Sequence, residues 1–193
     1  MKKLVVMIDG GHLRALARLA DRNYNPDFIE QFAIGCKSED EELLRVLYYD
    51  CAPYNGTVEL PISKQSKTYA NPGTWLNQLA ERDLFAVRVG QLKFRGFALA
   101  SVPDQRSQLS DENFNPVFQQ KGVDMRIGLD IATYSSARAV DRIALVIGDT
   151  DLIPALKHAR KAGLQVILAK LPNHTIAPEL RRHSDFVRPV GWP

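Results

Sequence analysis

The chain is predicted to adopt an α/β fold with a central, mostly parallel β-sheet. Short β-rich runs alternate with amphipathic segments along its 193 residues, an order typical of parallel sheets covered by helices. Residues 142–147 are wholly apolar after Arg142, as expected for a strand buried on both faces. The length fits one core of ordinary size, so we expect residues 1–193 to form a single domain.

The first half of the chain predicts three strands and three helices. The strands are expected at residues 3–8, 43–51 and 84–90, and the helices at residues 12–20, 25–34 and 74–82. Pro26 suits the first turn of the second helix. Residues 39–42 are expected to form an acidic loop, and residues 52–71 contain too many Pro and Gly breakers for a definite element. Residues 92–100 either extend the third strand or form a hairpin with it.

The second half predicts further alternation of strand and helix. The strands are expected at residues 142–147, 164–169 and 186–189, and the helices at residues 123–137, 151–162 and 177–183. Gly163 is typical of the residue that ends a helix. Residues 101–120 are polar and are expected to form a long loop.

Composition excludes several classes of protein. No stretch reaches the roughly 18 apolar residues that span a bilayer, and Asp9 ends the first apolar run too early for a signal peptide. We therefore expect a cytoplasmic protein with no membrane partner. Two cysteines provide neither a disulfide framework nor a zinc site, and no glycine-rich phosphate loop follows a strand. The net charge of +3 is too small to indicate nucleic acid by itself.

Aspartates occupy the positions where parallel strands should end. The first strand ends at Asp9 and the second at Asp50, while Asp149 and Asp151 follow the long apolar strand. Asp124 opens a predicted helix. Because ligands of open parallel sheets bind beyond the carboxyl ends of the strands, these acids are candidate site residues.

Acids gathered in this way need a positive partner. Two carboxylates about 4 Å apart repel by about 4 kcal/mol at an effective dielectric constant near 20. A hard divalent cation supplies the opposing charge, and Mg²⁺ prefers carboxylates together with waters and phosphate oxygens. The chemistry implied is in-line hydrolysis of a phosphodiester, in which the cation activates water and stabilises the leaving oxygen.

Each acid also has an ordinary structural interpretation. Asp151 and Asp124 stand where aspartates often cap helices, and Asp9 precedes two glycines as turn residues do. Capping explains each residue separately. It does not explain why three segments of the chain bring acids to one predicted edge of the sheet.

Four motifs together resemble the NYN domain family of PIN-like ribonucleases. They are IDGGHL, YYD, KGVDMRIGLDI and LVIGDTDLIPALKHARKAGLQVIL. The similarity covers nearly the whole chain except residues 52–71 and 101–120. It implies a three-layer sandwich with strand order 3-2-1-4-5, an acidic pocket that binds Mg²⁺ or Mn²⁺, and endonucleolytic cleavage of RNA.

The resemblance also assigns roles to individual residues. It implies Asp9, Asp124, Asp149 and Asp151 as catalytic metal ligands, with Asp130 as a further metal-binding acid of the same helix. Three positions depart from the family pattern: His12 stands where Asn is frequent, Thr150 where Ser is usual, and Leu152 where an aromatic residue is common.

Several polar residues are positioned to contact an RNA substrate, whose phosphates require cations. The predicted nucleic-acid contacts are Lys93, Arg95, Lys121, Arg14, His12 and Thr150. A single strand could also be bound, through charge and stacking, by Lys64, Lys67 and Tyr69. Most Lys and Arg side chains merely cover a solvated surface, which is the alternative for all of these cations.

Three functions follow from this site, in decreasing order of support. The first is a metal-dependent endoribonuclease that acts on single-stranded or structured RNA. The second is an RNA-binding regulatory module with little turnover, and the third is a hydrolase of small phosphate esters. The oligomeric state stays open and includes a homodimer.

Overall fold

A computed structural model describes residues 1–102 and 109–193, and this part of the chain contains nine β-strands and six α-helices. The strands are β1 (Lys2–Asp9), β2 (Glu41–Cys51), β3 (Gly56–Glu59), β4 (Ser66–Tyr69), β5 (Phe85–Leu99), β6 (Phe114–Lys121), β7 (Arg142–Val146), β8 (Gln165–Lys170) and β9 (Phe186–Pro189). The helices are α1 (Gly10–Leu19), α2 (Pro26–Gly35), α3 (Thr74–Ala80), α4 (Val123–Ala137), α5 (Ile153–Lys161) and α6 (Pro178–Arg182).

Seven strands form the central sheet, in the order β6-β5-β2-β1-β7-β8-β9. Every neighbouring pair is parallel except β5 and β6. The prediction of an α/β fold with a mostly parallel sheet between helix layers is confirmed. The predicted order 3-2-1-4-5 is wrong for this sheet, because a further strand pairs at each edge: β6 joins β5 and β9 joins β8.

The core lies on both faces of the sheet, with β1 at its centre. Leu4, Val6 and Ile8 pack against α1, α2 and α3, whereas Val5 and Met7 pack against α4, α5 and α6. None of these five side chains is accessible to solvent. Burying such a side chain contributes about 1.5–3 kcal/mol to the stability of the fold. The continuous apolar run of β1, whose side chains point alternately to the two faces, therefore fixes the strand between two layers.

Two segments are more ordered than the sequence predicts. The expected loop at residues 101–120 contains β6, in which Phe114, Pro116 and Phe118 alternate with exposed residues. Its strand structure depends on pairing with the far half of β5, which is not visible in the local sequence. Residues 103–108 of that predicted loop lie outside the described residues. The stretch 52–71 contains the antiparallel hairpin β3–β4.

The helices begin at recognisable signals and are short. Asn25 caps α2 by accepting a hydrogen bond from the Phe28 backbone N–H at 2.9 Å, and Pro26 occupies the first turn as predicted. The longest helix, α4, has 15 residues. In the described ranges, no helix combines the length and apolar character needed to cross a membrane.

Candidate metal centre and nucleic-acid interface

The acidic groove lies at the carboxyl edge of the sheet. β1 ends at Asp9, and its parallel neighbour β7 is followed three residues later by Asp149. Both acids line a groove of about 630 Å³, together with His12, Gln120 and His174. Parallel pairing of the two strands therefore brings Asp9 and Asp149 to one concave surface, as their positions in the sequence predicted.

Asp9 combines a structural role with an unfavourable charge. Its carboxylate accepts a hydrogen bond from the His12 backbone N–H at 3.1 Å and so caps α1. Burial raises the pKa of Asp9 above its ordinary value, and the charges of Asp124 and Asp50 raise it further. The backbone N–H groups act in the opposite direction without cancelling these effects. An ionised Asp9 would therefore be stabilised by a nearby cation.

Asp124 approaches the same edge from the first turn of α4. Burial raises its pKa first, followed by the charges of Asp149 and Asp151. The capping role considered for Asp124 is wrong, because Gly122 holds the cap position with a left-handed φ of 78°. Asp124 therefore interacts electrostatically both with Asp9 and with the two acids that follow β7.

Asp149 and Asp151 belong to one short 3₁₀ turn. Asp149 caps this turn, Thr150–Leu152, by accepting a hydrogen bond from the Asp151 backbone N–H at 2.8 Å. Asp151 is exposed within the turn, so the capping role considered for it is wrong, and α5 begins only at Ile153. Leu152 is buried against the core beneath α4 and α5. The turn thus presents Asp149 and Thr150 to the groove.

The donor set fits a hard divalent cation without forming a closed cage. Across residues 1–102 and 109–193, no three Asp, Glu, His or Cys side chains are grouped closely enough to surround a metal ion. Mg²⁺ does not require such a group, because it is commonly held by one or two carboxylates with waters and substrate phosphate oxygens. Asp9 and Asp149, which both line the groove, supply oxygen donors of this kind.

Two predicted site residues have partners elsewhere. Asp130 accepts hydrogen bonds from the Tyr49 hydroxyl at 2.9 Å and from Arg88 Nε at 3.3 Å. Arg14 donates to the buried Asp50 at 2.9 Å. These contacts hold Asp130 and Arg14 in the packing between elements, outside the residues that line the groove.

The other predicted cations lie on a two-stranded arm. Past its last pair with β2, β5 continues beyond the sheet edge and pairs with β6. Lys93 and Lys121 are exposed and share one face of this arm, since they stand opposite Gln119 and Gln91. Arg95 donates to Gln119 at 2.8 Å on that face. The arm therefore carries a basic face, and Gln120, which lines the groove, projects from its opposite face.

Two histidine side chains contact each other inside the groove. The rings of His12 and His174 are 5.1 Å apart in an edge-to-face arrangement. Burial, and then the proximity of His174, lower the pKa of His12 to about 4, so His12 is neutral at physiological pH. The buried Nδ1 of His174 has no hydrogen-bond partner within the described residues. A neutral His12 can exchange hydrogen bonds with a substrate but does not supply a positive charge.

His174 and Gln120 line the groove but were not predicted. His174 lies in the turn after β8, at the same carboxyl edge as Asp9 and Asp149. Applying the strand-end rule to β8 would have found it. Gln120 gave no such signal, because it belongs to β6, a strand that the sequence did not predict.

We expect replacement of Gly148 by Ala to release His12 from this pair. A β-carbon at position 148 would lie 2.6 Å from His12 Cε1 and 2.7 Å from His12 Nδ1, so the ring must shift from its buried position. Its pKa should then rise from about 4 toward the ordinary value of 6.5, measured by NMR titration of the imidazole. Gly191→Ala is the control, since a β-carbon there has no neighbour within 4 Å. A pKa that stays near 4 in the Gly148→Ala variant would contradict this geometry.

Comparison with known proteins identifies the family of this chain. The family model of the NYN domain, which belongs to the PIN-like ribonuclease superfamily, matches residues 64–189. The chain belongs to the NYN domain family. The matched region contains Asp124, Asp149 and Asp151, whereas Asp9 precedes it.

A solved structure supports the fold independently. A crystal structure of a Vibrio parahaemolyticus protein of unknown function superposes with a TM-score of 0.57 at 16% identity, covering 97% of this chain and 92% of the other. At this identity the similarity supports the fold alone. No curated protein matches the sequence.

Proposed function

We propose that the chain is a metal-dependent endoribonuclease that hydrolyses RNA phosphodiester bonds with Mg²⁺ or Mn²⁺ at Asp9, Asp124, Asp149 and Asp151. One observation carries the proposal: acids from β1, from α4 and from the turn after β7 converge on one edge of the sheet, where the charge of Asp124 helps to raise the pKa of Asp9 and the charges after β7 help to raise the pKa of Asp124. Membership of a PIN-like nuclease family supports the same chemistry. In this proposal residues 1–193 act as one NYN domain in the cytoplasm, with RNA as the partner.

The residues around the groove have distinct proposed roles. A bound divalent cation would supply the Lewis acid for phosphodiester hydrolysis. Asp9 and Asp149 would hold it, while Asp124 and Asp151 would add negative charge that strengthens binding. Lys93 and Lys121 would neutralise phosphates along the arm, and the Thr150 hydroxyl would hydrogen-bond a phosphate oxygen at the groove. Asp130 is omitted from this set because Tyr49 and Arg88 already bind it.

A second candidate is an RNA-binding module without turnover. It is favoured by the lack of a closely grouped set of three metal ligands in the described part of the chain. The basic face of the arm would bind RNA equally well in this case. The two candidates differ in whether cleavage depends on a divalent cation and on Asp149.

We expect Asp149→Asn to reduce metal-dependent RNA cleavage by about 100-fold or more, equivalent to about 3 kcal/mol of activation free energy. Asn keeps the oxygen that accepts the Asp151 N–H, so the 3₁₀ turn should persist. The measurement is cleavage of end-labelled single-stranded RNA with Mn²⁺, with Mg²⁺ and with EDTA. The matched control is Asp83→Asn, which changes an exposed aspartate next to the amino end of β5.

The outcomes separate the candidates. Undiminished cleavage by Asp149→Asn would exclude the assigned site. RNA binding by nuclease-free wild-type protein that never cleaves with either cation would favour the binding module. Rapid hydrolysis of a nucleoside monophosphate without RNA cleavage would instead indicate a small phosphate-ester substrate.

A further inference from the structure

A second concave surface lies where the β3–β4 hairpin packs on the arm. It has a volume of about 440 Å³ and is lined chiefly by Tyr54, Tyr69, Leu92 and Phe118. These side chains come from the segment before β3, from β4 and from both strands of the arm. Three separate parts of the chain therefore build one aromatic pocket.

Three aromatic side chains of the lining contact one another and form one wall of the pocket. Tyr69 and Phe118 are 5.8 Å apart and perpendicular, and Tyr54 lies 5.4 Å from Phe118 and 5.9 Å from Tyr69. Edge-to-face contacts of this kind stabilise the hairpin on the arm. The cavity lies beside this group of rings, all three of which line it.

Polar groups at the pocket point to a ligand with both a flat apolar surface and polar edges. The buried hydroxyl of Tyr69 has no hydrogen-bond partner among residues 1–102 and 109–193. A buried hydroxyl without a partner costs free energy, which a ligand would recover by hydrogen bonding to it. The Lys67 ammonium lies 5.3 Å from the centre of the Tyr69 ring, where it adds positive charge beside the aromatic surface.

The pocket is connected to the acidic groove through β6. Phe118 lines the pocket and Gln120 lines the groove. The two residues are separated by one position, so their side chains project from the same face of β6 about 7 Å apart. A strand of nucleic acid whose phosphate occupies the groove could therefore reach the pocket with a base near that phosphate.

We propose that this pocket binds an unpaired base of single-stranded RNA next to the phosphate held in the groove; the inference rests on the proposed ribonuclease function. Stacking on aromatic faces recognises any exposed base, and it requires that the base be absent from a duplex stack. The chain therefore selects single-stranded segments, and duplex RNA of the same sequence lacks this contact.

Filling the pocket tests the proposal without removing the aromatic rings. Ala70 is exposed and lines the pocket, so Ala70→Trp should block it. The matched control is Ala139→Trp, which makes the same change at an exposed alanine between α4 and β7, away from both the lining residues and the arm. Both changes are made in the Asp149→Asn background, and affinity for a fluorescent single-stranded RNA and its duplex is measured.

Ala70→Trp should weaken binding of the single strand by about 5- to 100-fold, the usual contribution of one stacked base. It should leave duplex affinity unchanged, and Ala139→Trp should change neither affinity. Tyr69→Phe keeps the ring and removes the hydroxyl, and should weaken single-strand binding about 2- to 10-fold. Single strands containing 5-iodouridine should crosslink to Tyr69 or Tyr54.

The outcomes also distinguish this inference from the proposed nuclease function. Single-strand affinity that neither Ala70→Trp nor Tyr69→Phe changes, in folded variants, would overturn the pocket even if wild type cleaves RNA. Equal loss for single strand and duplex would overturn it as well. If the wild type does not cleave but its single-strand binding depends on Ala70 and Tyr69, the pocket stands and the nuclease assignment fails.

Discussion

Replacing Asp9 by Asn is expected to abolish RNA cleavage while making the metal-free protein more stable at neutral pH. The loss of cleavage should be about 100-fold or more, because the groove loses a charged oxygen ligand. The gain in stability follows from the surroundings of Asp9. Its ionised carboxylate is partly buried and faces the charges of Asp124 and Asp50, whereas a neutral amide avoids both costs.

The cap of α1 should survive this substitution. Asn caps helices about as well as Asp, and its side-chain oxygen can accept the same hydrogen bond from the His12 backbone N–H. A purely structural role for Asp9 would therefore leave the Asp9→Asn variant active. Asp9→Ser is a second variant that retains capping and removes the carboxylate, so it should be equally inactive.

The pH dependence of stability gives the Asp9 prediction a further signature. The pKa of Asp9 is higher in the folded protein than its ordinary value of 3.8, so the folded state binds the proton more tightly. Ionised Asp9 thus costs stability at neutral pH, and this cost disappears as the pH falls through the raised pKa. In EDTA, the stability advantage of Asp9→Asn should shrink with acidification.

Thermal unfolding in EDTA and in Mn²⁺ measures both effects. Mn²⁺ should raise the Tm of the wild type much more than that of Asp9→Asn, because a ligand stabilises the folded state that binds it. If the Asp9→Asn variant is less stable than wild type at neutral pH and still cleaves RNA, the prediction is wrong and Asp9 serves only to cap α1.

The central part of the fold was predictable because its signals are local. Residues 3–8 and 142–147 are short apolar runs, and burial on both sheet faces requires such runs. The site was predictable to the same extent. Asp9 and Asp149 follow directly from the rule that ligands bind beyond the carboxyl ends of parallel strands.

What the sequence did not reveal depends on distant partners. β6 contains Asn, Pro and Gln and becomes a strand only because β5 extends past the sheet to pair with it. Gln120 therefore could not be placed at the groove from the sequence. Asp124 looked like a helix cap, but Gly122 takes that position, and the approach of Asp124 to Asp149 depends on how α4 packs.

Glu41 is the clearest case of a residue whose role depends on the tertiary structure. Within the sequence it belongs to an acidic stretch expected to be a loop, yet it is the first residue of β2 and is fully buried. Arg188 of β9 forms a bidentate pair with it at 2.8 Å, and Arg142 of β7 donates at 2.7 Å. One carboxylate thus joins three strands of the sheet.

We expect Glu41→Gln to lower the free energy of unfolding by about 3–5 kcal/mol, the usual cost of removing one partner from a buried ion pair. Gln preserves the size of the side chain but leaves Arg188 without a negative partner and Arg142 with only the exposed Asp40. The neighbouring Glu42 is exposed and has no ion pair in the described part of the chain, so Glu42→Gln should change stability by less than about 0.5 kcal/mol. Urea unfolding at pH 7 measures both values.

Acidification should change the contribution of Glu41 to stability in the opposite sense to that of Asp9. Burial alone would raise the pKa of Glu41, but Arg188, the Ser38 N–H and Arg142 outweigh it and lower the pKa to about 2. The stabilisation is therefore complete above pH 4.5 and is lost as the pH falls toward about 2. The difference between wild type and Glu41→Gln should narrow over this range. A difference in the free energy of unfolding below about 1 kcal/mol at pH 7 would contradict the role of Glu41, because removing one charge from a buried ion pair costs more than this.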